Sequence, residues 1–232
     1  MILPPNFFPD KKEIIDFAFE AYGLKSFADL GGVWAVDGAY TFYTIDTYKT
    51  EKAVLVDTNF SDNFIQKSSN EKKLKSINGN FGNESVAQKV GKVDAIFLFD
   101  VLLHQVNPNW NDILKMYSGQ TKCFIIYNQQ WIEPGKTIRL LDLGKEEYFK
   151  NVPHTPDHPT YKSLFNKMYE INEEHNKIWR DVHNVWQWGI TDNDLVDTMK
   201  ELGFEKKFYK NCGRIGNLPN FENHSFVFKK NK

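Results

Sequence analysis

Two acids and two glycines near the N-terminus carry the clearest chemical signal. Asp29-Leu30-Gly31-Gly32 follows a short apolar run, and Asp57 closes a second one, Lys52-Ala53-Val54-Leu55-Val56. In a strand-loop-helix-strand unit, such a turn sets backbone N–H groups and a helix N-terminus beside a crevice at the strand carboxyl ends. An acid closing the second strand can accept hydrogen bonds from the two hydroxyls of a ribose. The pattern points to a nucleoside-bearing cofactor. Two further signals stand in comparable places: Asn78-Gly79-Asn80-Phe81 after a third run, and Phe99-Asp100 at the end of Asp94–Phe99. Singly, each has a plain structural reading. Asp57 and Asp100 could cap helices, Asn78-Gly79-Asn80 could be a turn, and His104 reads as a satisfied, half-buried histidine. Their order matters more, because the carboxyl ends of strands in an open parallel sheet meet at one crevice.

The elements that must position these residues follow from hydrophobic period and turn residues. Residues 11–22 read as a helix with Ile14, Ile15, Phe17, Ala18 and Tyr22 on its apolar side, stopped by Gly23. Strands are expected at 26–30, 52–57, 73–77, 94–99 and 122–127. Helices at 39–48, 60–68, 83–90 and 109–118 separate them, with Asp37 as N-cap of the first. Thr191 caps a helix to Leu202, and strands at 204–209 and 225–229 follow without a helix between them, so they should be antiparallel. The expectation is an α/β, Rossmann-like, doubly wound and mostly parallel seven-stranded sheet. It ends in an antiparallel hairpin and carries a helical or loop insertion after strand five. Residues 1–232 form one domain in this reading, with 128–190 an inserted lid or acceptor-binding region. Thr160 to Arg180 reads as a helix with Leu164, Phe165, Met168, Ile171 and Ile178 in its stripe.

Residues 26–127, with the closing helix and hairpin, resemble the class I S-adenosylmethionine-dependent methyltransferases. Phe27-Ala28-Asp29-Leu30-Gly31-Gly32 is similar to that family's first motif, and Val54-Leu55-Val56-Asp57 to its second. Gly79-Asn80-Phe81 stands where the family has Gly-Asp-aromatic. Asp94 to His104 is similar to the strand-four motif ending in Val-Leu-x-His. Val33 and Ala35 replace two glycines of the first motif, the loop is longer through Trp34–Gly38, and Asn80 replaces an acid. The resemblance implies S-adenosyl-L-methionine as cofactor, held by Asp29, Gly31, Gly32, Asp57, Asn80, Phe81, Phe99 and Asp100. It implies methyl transfer with no metal required. Oxygen is the favoured target, because Phe99-Asp100-Val101-Leu102 lacks the Asn/Asp-Pro-Pro-Tyr type signature of many amino-methylating relatives.

The acceptor is expected to be a small molecule or a saccharide precursor. Asn128, Gln130, Trp131 and Trp186 are its candidate contacts. His154, His158 and His183 are candidates for a general base, any one sufficing. Pro156 and Pro159 interrupt the segment holding His154 and His158, so a helical metal pair is not expected there. Two other readings stand beside this one: a nicotinamide-dependent oxidoreductase, and a non-catalytic cofactor-binding partner protein. The absent Gly-x-Gly-x-x-Gly and the terminal hairpin weigh against the oxidoreductase. A net charge of −1 with interleaved acids and bases gives no reason to expect nucleic acid or an anionic membrane as partner. Two distant cysteines make no disulfide framework, and the N-terminus lacks the pattern of a signal peptide. The chain is therefore expected in the cytoplasm.

Overall fold

The computed structural model describes residues 7–159, 161–183 and 185–231. Helix α1 (Pro9–Tyr22) ends at Gly23, whose φ of 58° lets its N–H reach the Phe19 carbonyl. Strand β1 (Ser26–Leu30), helix α2 (Ala39–Tyr48), strand β2 (Lys52–Asp57) and helix α3 (Asp62–Ser68) follow. Strand β3 (Leu74–Asn78), helix α4 (Glu84–Val90), strand β4 (Ala95–Phe99), helix α5 (Trp110–Ser118) and strand β5 (Cys123–Trp131) complete the alternation. Short elements then fill the insertion: β6 (Ile138–Arg139), α6 (Lys145–Lys150), β7 (Ile171–Asn172), β8 (Lys177–Ile178) and β9 (Trp188–Gly189). Helix α7 (Asp192–Glu201) and strands β10 (Phe204–Arg214) and β11 (Phe221–Lys230) close the chain.

The main sheet runs β10-β11-β5-β4-β1-β2-β3. The five strands from β3 to β5 are parallel, and β11 joins β5 and β10 antiparallel. Every residue of β4 and β5 is buried, as expected of strands covered on both faces. One face packs Ala28, Val54, Ile96, Leu98 and Phe124 against residues of α4, α5 and α7. The other packs Phe27, Phe97, Ile125 and Val227 against α1 and α2. Strand order reverses between β1 and β4, which places a crevice at their carboxyl ends.

Five elements depart from the sequence reading. The N-cap of α2 is Gly38 rather than Asp37; Asp37 instead accepts from Ser61 Oγ at 2.6 Å and Asn63 Nδ2 at 2.9 Å. Strand β5 continues through Asn128–Trp131, because β11 pairs with it residue for residue as far as Phe221 opposite Trp131. Both strands of the terminal hairpin are longer than expected, with irregular register near Lys206 and Asn211. Residues 161–180 form no α-helix. They make single turns, then the β7–β8 hairpin, then a 3-10 turn at Trp179–Asp181. Thr160, the expected cap, lies outside the described residues. The insertion has its own core, in which Leu140, Tyr148, Leu164, Trp186 and Phe221 are buried together. Among the described residues no helix is long and apolar enough to cross a membrane.

Candidate functional site

The first motif folds as a tight cradle. Gly31 takes φ +85° while its N–H donates to the Val56 carbonyl at 2.7 Å. A Cβ there would stand 2.8 Å from Val101 Cγ1 and 3.6 Å from Phe81 Cε1. The tips of β1, β3 and β4 therefore meet at this glycine. Gly32 is constrained differently: a Cβ on it would lie 2.4 Å from Asp29 Oδ2. Asp29 is buried and accepts from Thr41 Oγ1 at 2.7 Å. Burial raises its pKa to about 6; the Thr41 bond opposes the rise and the Asp57 charge adds to it. The lengthened loop after the cradle holds Ala35 and Asp37 at positive φ and exposes 85 % of Trp34.

Asp57 anchors that loop. Its Oδ2 accepts from Val33 N–H at 2.9 Å and its Oδ1 from Asn59 N–H at 3.2 Å. A carboxylate has about four acceptor positions, so capacity for two hydroxyls remains. Asn80 is held by its own turn and by the insertion. Its carbonyl accepts from Gly82 N–H at 2.7 Å within its own turn, and its amide nitrogen faces His183 Nε2 at 3.4 Å. Toward a ligand it offers a donor. Phe81 is fixed by the Tyr117 hydroxyl, which donates to its carbonyl at 2.8 Å.

Phe99 and Asp100 end β4. The Phe99 ring packs edge-on to Tyr40 at 5.3 Å. Asp100 takes a left-handed φ of 58°, a conformation that costs a non-glycine residue free energy and concentrates at functional sites. Its carboxylate is paired with Lys11 of α1 and accepts from Gln129 Nε2 at 2.5 Å. Lys11 is only 4 % exposed, and its ammonium lies 4.9–5.9 Å from the ring centres of Phe8, Tyr40, Phe99 and Tyr127, a cation–π cage. Sequence reading missed Lys11 and Thr41. The one signal for Lys11 is its place in the apolar stripe of α1, with Ile14, Ile15 and Ala18.

Chains with this architecture have been solved. The N-terminal domain of EvdMO1, crystallised with SAH and D-fucose, is 12 % identical with a TM-score of 0.58, over 97 % of this chain and 84 % of that one. A magnesium protoporphyrin IX methyltransferase from Synechocystis with bound SAH is 11 % identical with a TM-score of 0.56, over 95 % and 82 %. A 1,6-didemethyltoxoflavin-N1-methyltransferase from Burkholderia thailandensis is 8 % identical with a TM-score of 0.57, over 97 % and 79 %. This chain has the class I methyltransferase fold. No family model and no curated protein sequence matches it.

On that methyltransferase fold, the candidate cofactor residues occupy the carboxyl edge of β1 to β4. The candidate acceptor residues are placed differently. Asn128, Gln130 and Trp131 lie in β5, paired to His224, Glu222 and Phe221. Gln130 is fully buried, and its side-chain amide has no hydrogen-bond partner among the described residues. Trp131 and Trp186 pack against Phe221 at 5.1 and 5.2 Å in the core of the insertion. The candidate histidines fall into two groups. His154 and His158 face each other at 4.5 Å and both pack on Tyr161. Burial lowers the His154 pKa, and His158 adds to the effect. His183 stands elsewhere, beside Asn80. Burial, then the Lys177 charge, pushes its pKa down to about 4. Its Nε2 faces Lys177 Nζ at 2.6 Å, so the neutral ring accepts there and carries its proton on Nδ1. Among the described residues no group of three or more His, Cys, Asp or Glu is arranged to hold a metal. Both cysteines are free.

Between sheet and insertion lies a cleft of about 390 Å³, lined by Thr58, Asn80, His175, Lys177, Val182 and His183. Small-ligand pockets run from about 300 to 1,000 Å³.

Proposed function

We propose that this chain transfers a methyl group from S-adenosylmethionine to oxygen on a small-molecule or saccharide acceptor. The observation that carries the reading is the meeting of Gly31, Phe81 and Val101 beside Asp57, at the point where strand order reverses. The residues fit the cofactor: a side-chain-free cradle at Gly31 and Gly32, an acid with spare acceptor capacity, and an adjoining cleft of nucleoside size. Similar folds solved with SAH, one of them with a sugar, support the same class. When bound, the cofactor supplies an electrophilic methyl on a sulfonium.

The chain's own part is binding, alignment and exclusion of water. Asp57 would hold the ribose. Asn80 would donate toward the adenine side, and Phe81 would wall it. Gly31 would let the backbone approach the methionine portion. A base is needed only where the acceptor arrives protonated. His183 is poorly matched to that work at neutral pH because its pKa is about 4. We assign the role to the His154–His158 pair, whose rings face each other at 4.5 Å in the insertion. His158→Ala should lower kcat and leave SAH affinity unchanged; full turnover would remove the pair from the mechanism.

Isothermal titration tests the reading. The wild type should bind S-adenosylmethionine and SAH, and failure to bind either would overturn it. Asp57→Ala should weaken SAH binding by about 1–3 kcal/mol if its ribose contacts are charge-assisted. Equal affinity would take Asp57 out of the site.

A further inference from the structure

The cleft between sheet and insertion is built from both sides. The sheet contributes Thr58, just after β2, and Asn80, just after β3; the insertion contributes His175, Lys177, Val182 and His183. No acid lines it. Lys177 begins β8, and its ammonium contacts His183 Nε2 at 2.6 Å and the Asn107 carbonyl at 3.5 Å. Asp181, the acid that favours its charged form, is spent on Arg139 at 3.0 Å. Among the described residues no carboxylate pairs with Lys177. An ammonium has three donors and no acceptor. A half-buried one held against a neutral imidazole has donor capacity left over, facing the cleft. Asn80 Nδ2 adds a second donor, Thr58 a hydroxyl, and Val182 an apolar wall.

We infer that the β7–β8 hairpin of the insertion is part of the cofactor site, with Lys177 donating to the acceptor atoms of the adenosyl group. A purine nucleoside matches this lining. Its ring nitrogens and ribose oxygens are acceptors, and its flat face suits an apolar wall. His183 is then a positioning residue: it accepts one hydrogen bond from the Lys177 ammonium, the Asn107 carbonyl accepts a second, and the third donor is left for the cleft.

The inference rests on the methyltransferase reading, and its test separates the two. SAH is titrated calorimetrically into wild type, Lys177→Met and Lys177→Arg. Hydrogen exchange of residues 171–183 is followed with and without SAH. Lys177→Met should bind SAH about tenfold or more weakly, as expected for loss of a charged donor, and should lose SAH-dependent slowing of exchange in the hairpin. Lys177→Arg, which keeps a cationic donor, should recover part of both. If wild type binds SAH and Lys177→Met binds it equally, the hairpin is not part of the site. If wild type binds no SAH, the methyltransferase reading itself fails.

Discussion

Replacing Gly31 by alanine is expected to abolish cofactor binding and to lower fold stability by about 2–5 kcal/mol. Two separate penalties combine. The residue holds φ at +85°, where an L side chain costs roughly 1–2 kcal/mol. The new methyl would also sit 2.8 Å from Val101 Cγ1, and overpacking of this kind costs about 1–3 kcal/mol. The strain falls where β1, β3 and β4 meet, so any backbone relaxation deforms the cradle. Denaturant unfolding gives the stability and SAH titration the binding. A Gly31→Ala, Val101→Ala double variant isolates the causes: it should relieve the overlap, leave the φ penalty, and still bind poorly. A Gly31→Ala protein of wild-type stability and affinity would show that the turn is not constrained as described.

Asp29 carries the second large effect, and its sign is opposite. The carboxyl is buried, and its pKa is raised from 3.8 to about 6. A folded-state pKa above the unfolded one means that the protonated acid favours the fold. That contribution is complete below pH about 4, shrinks between about 4 and 6, and is gone above the folded value. At about 1.4 kcal/mol for each pH unit between the two values, the ionised carboxylate costs the fold about 3 kcal/mol at pH 8. Asp29→Asn keeps the shape and an oxygen for Thr41 and removes the charge. It should be more stable than wild type by up to about 3 kcal/mol at pH 8, with the difference closing toward pH 4. Urea unfolding at pH 4, 6 and 8 measures this. A difference that does not change with pH would mean that Asp29 is not the titrating group.

The parts legible in the sequence are those set by local pattern. Strands β1 and β2 read correctly because each is an apolar run bounded by turn residues, and the acids and glycines at their ends mark the crevice. The misreadings come from distant partners. Asn128-Gln129-Gln130 looks like a loop because it is polar, yet β11, nearly a hundred residues later, pairs and buries it. Leu164, Phe165 and Met168 have helical spacing, but those side chains pack in the insertion's core. The chain then reverses at a turn where Asn176 takes a left-handed φ of 49°. Lys11 was hidden by its type: a lysine in an apolar stripe reads as an interruption, and only the carboxylate of Asp100, eighty-nine residues on, explains its burial. Lys177 has no sequence signal, since its significance lies in what is missing around it.

The insertion leaves the sheet after Trp131 and returns at Ile190, and those two ends are joined: Trp131 N–H donates to the Ile190 carbonyl at 2.7 Å, and Gln130 bridges Ile190 in parallel. Everything between passes through a single doorway. Joining ends that already touch imposes little extra chain-closure entropy, and that cost grows only slowly with length. Changes of length within the segment therefore add little closure entropy, but Trp131 and Phe221 of the sheet share its buried core and would need cover from any replacement. If the proposed methyl transfer holds, grafting a foreign segment at this doorway would test whether the insertion sets acceptor choice, provided that the transplant brings its own counterpart of Lys177.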